Sequence, residues 1–167
     1  MNTLEAIFTR RSIRKFLNKS VADDILQEIV KAGMYAPSAH NEQPWHFVII
    51  KDRKILDEIP TFQPYSDMCK SATCAIIVCG DLSLEKSQGN WPQDCAAATQ
   101  NILLAIHDLG LGGVWASIYP REERMKRHQE LLKLPQNILP FALIPLGYTD
   151  EKPKTVDRFK KERIIYR

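Results

Sequence analysis

Apolar positions along the chain recur at two spacings, one helical and one strand-like, and the alternation between them lays out the elements. Leu4, Ile7 and Phe8 predict a short helix over residues 2–10. Ile25, Leu26, Ile29 and Val30 predict a second over 22–35, with Asp23 and Asp24 favouring its first turn. A compact run rich in Val and Ile predicts a strand over 46–51. A short helix over 53–59, stopped by Pro60, and a buried strand over 73–80 follow. The longest helix spans 92–109, between a proline suited to a first turn and Gly110 suited to a stop. Its middle, Cys95 to Ala98 and Ile102 to Ile106, is apolar on nearly every side, so it needs cover from a sheet and from a second subunit. Strands over 113–119 and 141–146 bracket a charged surface helix over 121–133. The last twenty residues are polar and lack a helical period, with Ile164, Ile165 and Tyr166 placed for a terminal strand.

Helices and short strands mixed in this order predict an α+β or three-layer α/β domain. No strand runs into a G-x-G-x-x-G turn, and no phosphate-binding G-x-x-x-x-G-K-[ST] loop occurs, which argues against a Rossmann domain and a P-loop NTPase. The 167 residues suit one domain, over 1–167, with a sizeable core. A net charge of +3 makes no demand for a nucleic-acid partner, so the basic excess is a local matter. No apolar run approaches a membrane span, and residues 1–5 lack the charged start of a secretory signal. Cys69, Cys74, Cys79 and Cys95 form no C-x-x-C pair, and the four histidines show no metal-ligand spacing. Buried reduced thiols and a cytoplasmic location are the expectation, with no metal.

Two segments carry candidate chemistry. Arg10-Arg11-Ser12-Ile13-Arg14-Lys15-Phe16 packs three guanidinium groups and a hydroxyl into five residues, a density suited to a phosphate or another delocalised anion. Pro37-Ser38-Ala39-His40-Asn41-Glu42-Gln43-Pro44-Trp45 sets small, hydroxyl and amide residues between two prolines, too polar for a core element and too constrained for a loose linker. Together they suit the two ends of a phosphorylated heteroaromatic ligand. Taken singly, the first is equally a solvated helix end with Ser12 as a cap, and the second an ordinary turn.

These two segments resemble the nitroreductase family of FMN-dependent oxidoreductases. The resemblance continues through Asp94 to Ser117, with Asn101-Ile102-Leu103-Leu104-Ala105 and Leu109-Gly110-Leu111-Gly112, and ends in Pro145-Leu146-Gly147-Tyr148 followed by Lys154 and Arg158. It covers nearly the whole chain in the expected order, at the length of the short branch of the family. It implies a three-layer α/β/α fold, with a central, mostly antiparallel mixed sheet flanked by helices, in an intertwined homodimer with FMN at the subunit interface.

By that resemblance, Arg10 and Ser12 take the FMN phosphate, with Arg158 and Lys154 returning from the C-terminal segment and Arg11 contributing beside them. The family's close Lys-x-Arg pair is spread here over Lys152, Lys154 and Arg158. Arg14 faces the pyrimidine edge of the flavin and stabilises the charge that appears on reduction. Pro37, Ser38, Ala39, His40, Asn41 and Gln43 come from the other subunit, and Trp115, Ala116 and Ser117 pass along one ring face. The segment between Thr61 and Lys70 holds a flavin contact that the sequence does not single out. The implied activity is ping-pong hydride transfer from NAD(P)H through flavin N5 to a nitroaromatic, a quinone or a similar oxidant. No catalytic side chain is implied, because the flavin carries the chemistry. The alternatives are a specialised flavin enzyme of the same fold, such as a reductive dehalogenase or flavin-fragmenting enzyme, and a non-enzymatic flavin-binding protein.

Overall fold

The computed structural model describes residues 1–154 and 156–167. Five strands form one sheet. Strand β1 (Trp45–Ile50) lies at an edge, followed by β2 (Cys74–Asp81), β5 (Ile138–Gly147) and β3 (Gly112–Gly113), with β4 (Ala116–Ser117) also pairing β5. All four pairings among the described residues are antiparallel.

Alternation along β2 and β5 divides the core in two, because successive side chains leave a strand on opposite faces. Ile76, Val78, Ala142, Ile144 and Leu146 pack with Leu26 and Ile29 of α2 (Asp23–Met34) and Ile102 and Ile106 of α4 (Trp91–Asp108). Ala75, Ile77, Cys79 and Leu143 pack on the other face, with Leu56 and Ile59 of α3 (Arg53–Phe62) and Leu131 and Leu132 of α5 (Glu122–Leu132). The result is the three-layer α/β/α arrangement expected, and β2, covered on both faces, is buried throughout. Helix α1 (Thr3–Thr9), capped by the Asn2 side chain, lies outside these layers against α4. All four cysteines are buried and free.

Three elements differ from expectation. Helix α3 does not stop at Pro60 but runs to Phe62. Proline there only removes the bond to the Leu56 carbonyl, while Ile59 is fully buried and Phe62 packs edge-on against His128, with ring centroids 4.9 Å apart. The strand expected over 113–119 is broken into β3 and β4. Between them the Val114 N–H donates to the Pro145 carbonyl at 3.3 Å, and Pro145 has no N–H to return. The terminal strand expected at Ile164–Tyr166 is not formed: Lys161–Arg163 make a 3₁₀ turn and the residues after it are exposed.

Candidate functional site

Beyond α1 the chain runs extended through Arg10–Phe16, stitched at several points. Ile13 is buried, and its N–H donates to the Gly113 carbonyl at 3.1 Å. Gly112 makes that approach possible, since a Cβ there would lie 2.6 Å from Ile13 Cγ2. The Arg14 and Lys15 N–H groups donate to Glu151 Oε2 at 2.9 and 3.1 Å, and Thr149 Oγ1 donates to the Lys15 carbonyl. With Ile13 turned inward, its neighbours Ser12 and Arg14 turn outward.

Arg10 lies beside Arg158 and Arg11. Burial lowers its pKa from the ordinary value, and the positive charges of Arg158 and Arg11 lower it further. Among the described residues none of the three pairs with a carboxylate, so their mutual repulsion favours an anion between them. Arg11 is committed differently. Its Nη1 donates to the Phe8 and Arg10 carbonyls, its Nε to the Lys154 carbonyl and its Nη2 to the Val156 carbonyl. It ties the C-terminal segment to the arginine run and has little left for a ligand. Arg10, Arg11 and Ile13 line a cavity of about 340 Å³ with His107 and Glu151. His107 Nε2 meets Thr9 Oγ1 at 2.8 Å, and burial and then the Arg10 charge push its pKa down. Ser12 lines a smaller hollow with Glu151 and Lys152.

Arg14 opens on a different space, a cleft of about 390 Å³ that it lines with Trp115, Ala116 and Ser117. The same cleft takes Gln63, Tyr65, Met68 and Arg124. Gln63 follows α3 directly and is 1 % exposed, yet neither Oε1 nor Nε2 of its amide has a partner. Trp115 Nε1 is likewise buried and unpaired. Two buried donors and an acceptor without partners are costly in a folded protein, so a wall holding them suits a ligand with both donor and acceptor edges. Tyr65 has φ +62° and is 89 % exposed, an aromatic held in the left-handed region at the mouth of the cleft. Arg124 Nη1 donates to the Ser117 carbonyl at 3.2 Å.

The elbow over 37–43 is built to hold an unusual shape. His40, Asn41 and Gln43 all have positive φ. The Gln43 N–H donates to Ser38 Oγ, Gln43 Nε2 donates to Asn41 Oδ1, and the Ala39 N–H donates to Asp94 Oδ1 at 3.0 Å. Buried Glu42 accepts from the Ser87 N–H. Within one chain, Pro37, Ser38, Ala39, His40, Asn41 and Gln43 line neither the Arg10 cavity nor the Arg14 cleft.

Sequence reasoning overlooked Gln63, Arg124 and Glu151. Each lies outside the arginine run and the elbow. Gln63 sits just before Pro64, where a breaker marks the end of the helix but nothing marks the burial of the amide.

Two matches to the profile of the nitroreductase family cover residues 7–72 and 63–148. A protein of Methanothermobacter thermautotrophicus, provisionally named an NADH dehydrogenase/NAD(P)H nitroreductase, is 50% identical over 164 residues, spanning 98% of this chain and 86% of that protein. The crystal structure of a Parabacteroides distasonis protein with the same provisional name superposes with a TM-score of 0.94 at 38% identity, over 98% of this chain and 96% of the other. A Desulfovibrio desulfuricans structure, provisionally a nitroreductase and in complex with FMN, superposes with a TM-score of 0.85 at 30% identity, over 100% and 98% of the two chains. On the span of the profile and the identity to these relatives, this chain belongs to the nitroreductase family.

Proposed function

We propose that this chain is an FMN-dependent NAD(P)H oxidoreductase that reduces small nitroaromatic or quinone-like acceptors, alternating with its reductant in ping-pong order. The observation that carries this reading is the Arg14 cleft, where the unpartnered Gln63 amide and Trp115 N–H meet a cation in one wall. The pyrimidine rim of an isoalloxazine presents a ring N–H between two carbonyls, and a carboxamide matches such an edge with its own donor and acceptor. Gln63 thus fills the role left open between Thr61 and Lys70. Bound FMN supplies hydride acceptance and donation at its N5.

The chain's own residues do the rest. Arg14 sets a fixed positive charge beside the ring, which favours its reduced, more negative state. Trp115, Ala116 and Ser117 give the ring a wall. Arg10 and Arg158, with Ser12, hold the phosphate with forked donors, and Lys154 adds charge nearby. Arg11 acts as the tie between segments rather than as a ligand. Pro37, Ser38, Ala39, His40, Asn41 and Gln43 line the flavin from a second copy of the chain, in a homodimer with two sites. The exposed apolar residues Leu4 and Phe8 of α1, Tyr35 after α2, and Phe159 and Ile165 near the C-terminus support that dimer. Among the described residues no helix is long and apolar enough to cross a membrane, and the four free cysteines suit the reducing cytoplasm.

The test is spectroscopic and kinetic. Purified protein should be yellow, release FMN on denaturation, and oxidise NADH or NADPH with menadione or nitrofurazone. Colourless protein that binds no added FMN refutes the proposal. Bound flavin that neither nicotinamide reduces makes the chain a carrier instead.

A further inference from the structure

We infer that Arg124 is the anion anchor for the reductant: it takes a phosphate of the NAD(P)H dinucleotide while the nicotinamide lies in the Arg14 cleft. This rests on the FMN reading above and adds a residue and a chemistry to it. The cleft is lined by two guanidinium groups, Arg14 from the extended N-terminal run and Arg124 from the first turns of α5, and by no carboxylate. FMN accounts for only one of them. Its phosphate has its donors at the separate Arg10 cavity, and its uncharged oxidised ring needs a single cation at the pyrimidine edge. Arg124 remains unassigned.

Its setting is that of a held, unsatisfied cation. Nη1 is fixed on the Ser117 carbonyl at 3.2 Å, so the guanidinium is positioned from the same segment that walls the cleft. It is half-buried, and among the described residues it forms no ion pair. Nη2 and Nε of Arg124 donate to no protein acceptor in the described residues, which leaves a planar pair of donors of the kind that grips a phosphate. Behind it, the ring of His128, one turn along, accepts no solvent and donates from Nδ1 to the Arg124 carbonyl at 2.8 Å, which fixes the backbone that carries the guanidinium. The reductant brings a pyrophosphate whichever nicotinamide dinucleotide is used, and the oxidants of the second half-reaction bring none. Arg124 therefore acts in the reductive half-reaction alone.

The experiment compares hydride donors on FMN-loaded wild type and on the Arg124→Gln and Arg124→Lys variants. The donors are NADH, NADPH and N-benzyl-1,4-dihydronicotinamide, which carries the same reactive ring and no phosphate. Arg124→Gln should raise the KM for both dinucleotides about tenfold or more. With the benzyl donor the loss should be much smaller than with either dinucleotide, the flavin content should hold, and Arg124→Lys should recover part of the loss. A rise confined to NADPH still supports the anchor and places it on the 2′-phosphate rather than the pyrophosphate. Equal loss with the benzyl donor overturns the inference, because Arg124 then shapes the ring face. Loss of flavin from a variant that keeps its wild-type circular dichroism also overturns it, because Arg124 then belongs to the cofactor. A wild-type protein that binds no FMN fails at the earlier step and brings down the functional reading itself, so the two failures are told apart by the wild-type spectrum.

Discussion

Glu151 holds Arg14 by its backbone: Oε2 accepts the Arg14 N–H at 2.9 Å and the next N–H, of Lys15, at 3.1 Å. A carboxylate that gathers successive amides fixes the path of the chain, and so decides where the Arg14 side chain leaves it. Thr149 reinforces the clamp, donating to the Lys15 carbonyl and accepting the Glu151 N–H. Replacing Glu151 by Ala should free the run and weaken FMN binding by about tenfold, since bonds to a charged acceptor are each worth about 1.5–3 kcal/mol and the site is partly exposed. Glu151→Gln keeps an acceptor and should keep most of the affinity. Equal FMN affinity for Glu151→Ala and wild type, measured by flavin fluorescence titration, would remove the clamp from the cofactor site.

Arg10 separates the phosphate from the ring. If Arg10 and Arg158 grip only the phosphate, Arg10→Ala should weaken FMN by about 2 kcal/mol, roughly thirtyfold, and leave riboflavin binding unchanged. Added salt should weaken FMN binding to wild type more than to the variant, because screening acts on the charge the variant has lost. A parallel loss of riboflavin affinity would place Arg10 at the ring or make its effect structural.

Gln63 couples stability to ligand binding with opposite signs. Its two amide atoms are buried and unpartnered in the protein alone. Gln63→Met keeps the volume and removes the polar groups. The FMN-free variant should gain about 1 kcal/mol or more, because an unsatisfied buried polar group costs about 1–3 kcal/mol. FMN affinity should fall by about tenfold as the edge contact is lost. Thermal melts without and with FMN measure both effects. A variant that is less stable without FMN would show that the amide is paired in solution.

The layers of this fold were legible because β2, β5, α2 and α4 are patterned by burial, and burial is what hydrophobic periodicity reports. In the candidate site, what the sequence singled out was chemistry concentrated along the chain, as in Arg10 to Arg14. The remaining parts were assembled by contact. Glu151 reaches across 137 positions to the Arg14 N–H, and Gln63 is a polar residue at a fully buried position, which a pattern of polar and apolar letters assigns to the surface. The break between β3 and β4 was hidden for a similar reason. It is caused by Pro145 on the strand opposite, not by any residue in the segment itself.

His128 makes stability depend on acid. The ring is fully buried in α5, T-stacked on Phe62, with Nδ1 on the Arg124 carbonyl and Nε2 without a hydrogen-bond partner. Burial pushes its pKa down to about 4 from the ordinary 6.5; the Arg124 carbonyl opposes that shift and the Arg124 charge adds to it. Above pH 6.5 the ring is neutral in both states and the linked contribution is whole. As the pH falls from 6.5 towards 4, the unfolded chain takes up a proton that the folded chain refuses, so stability is lost across that window and levels off below it. The gap between the two values amounts to about 3 kcal/mol at most. Urea unfolding at intervals from pH 7 to 4 should show the loss, and His128→Leu, which packs but cannot titrate, should flatten that part of the curve. The same slope in His128→Leu as in wild type would assign the acid sensitivity to other groups.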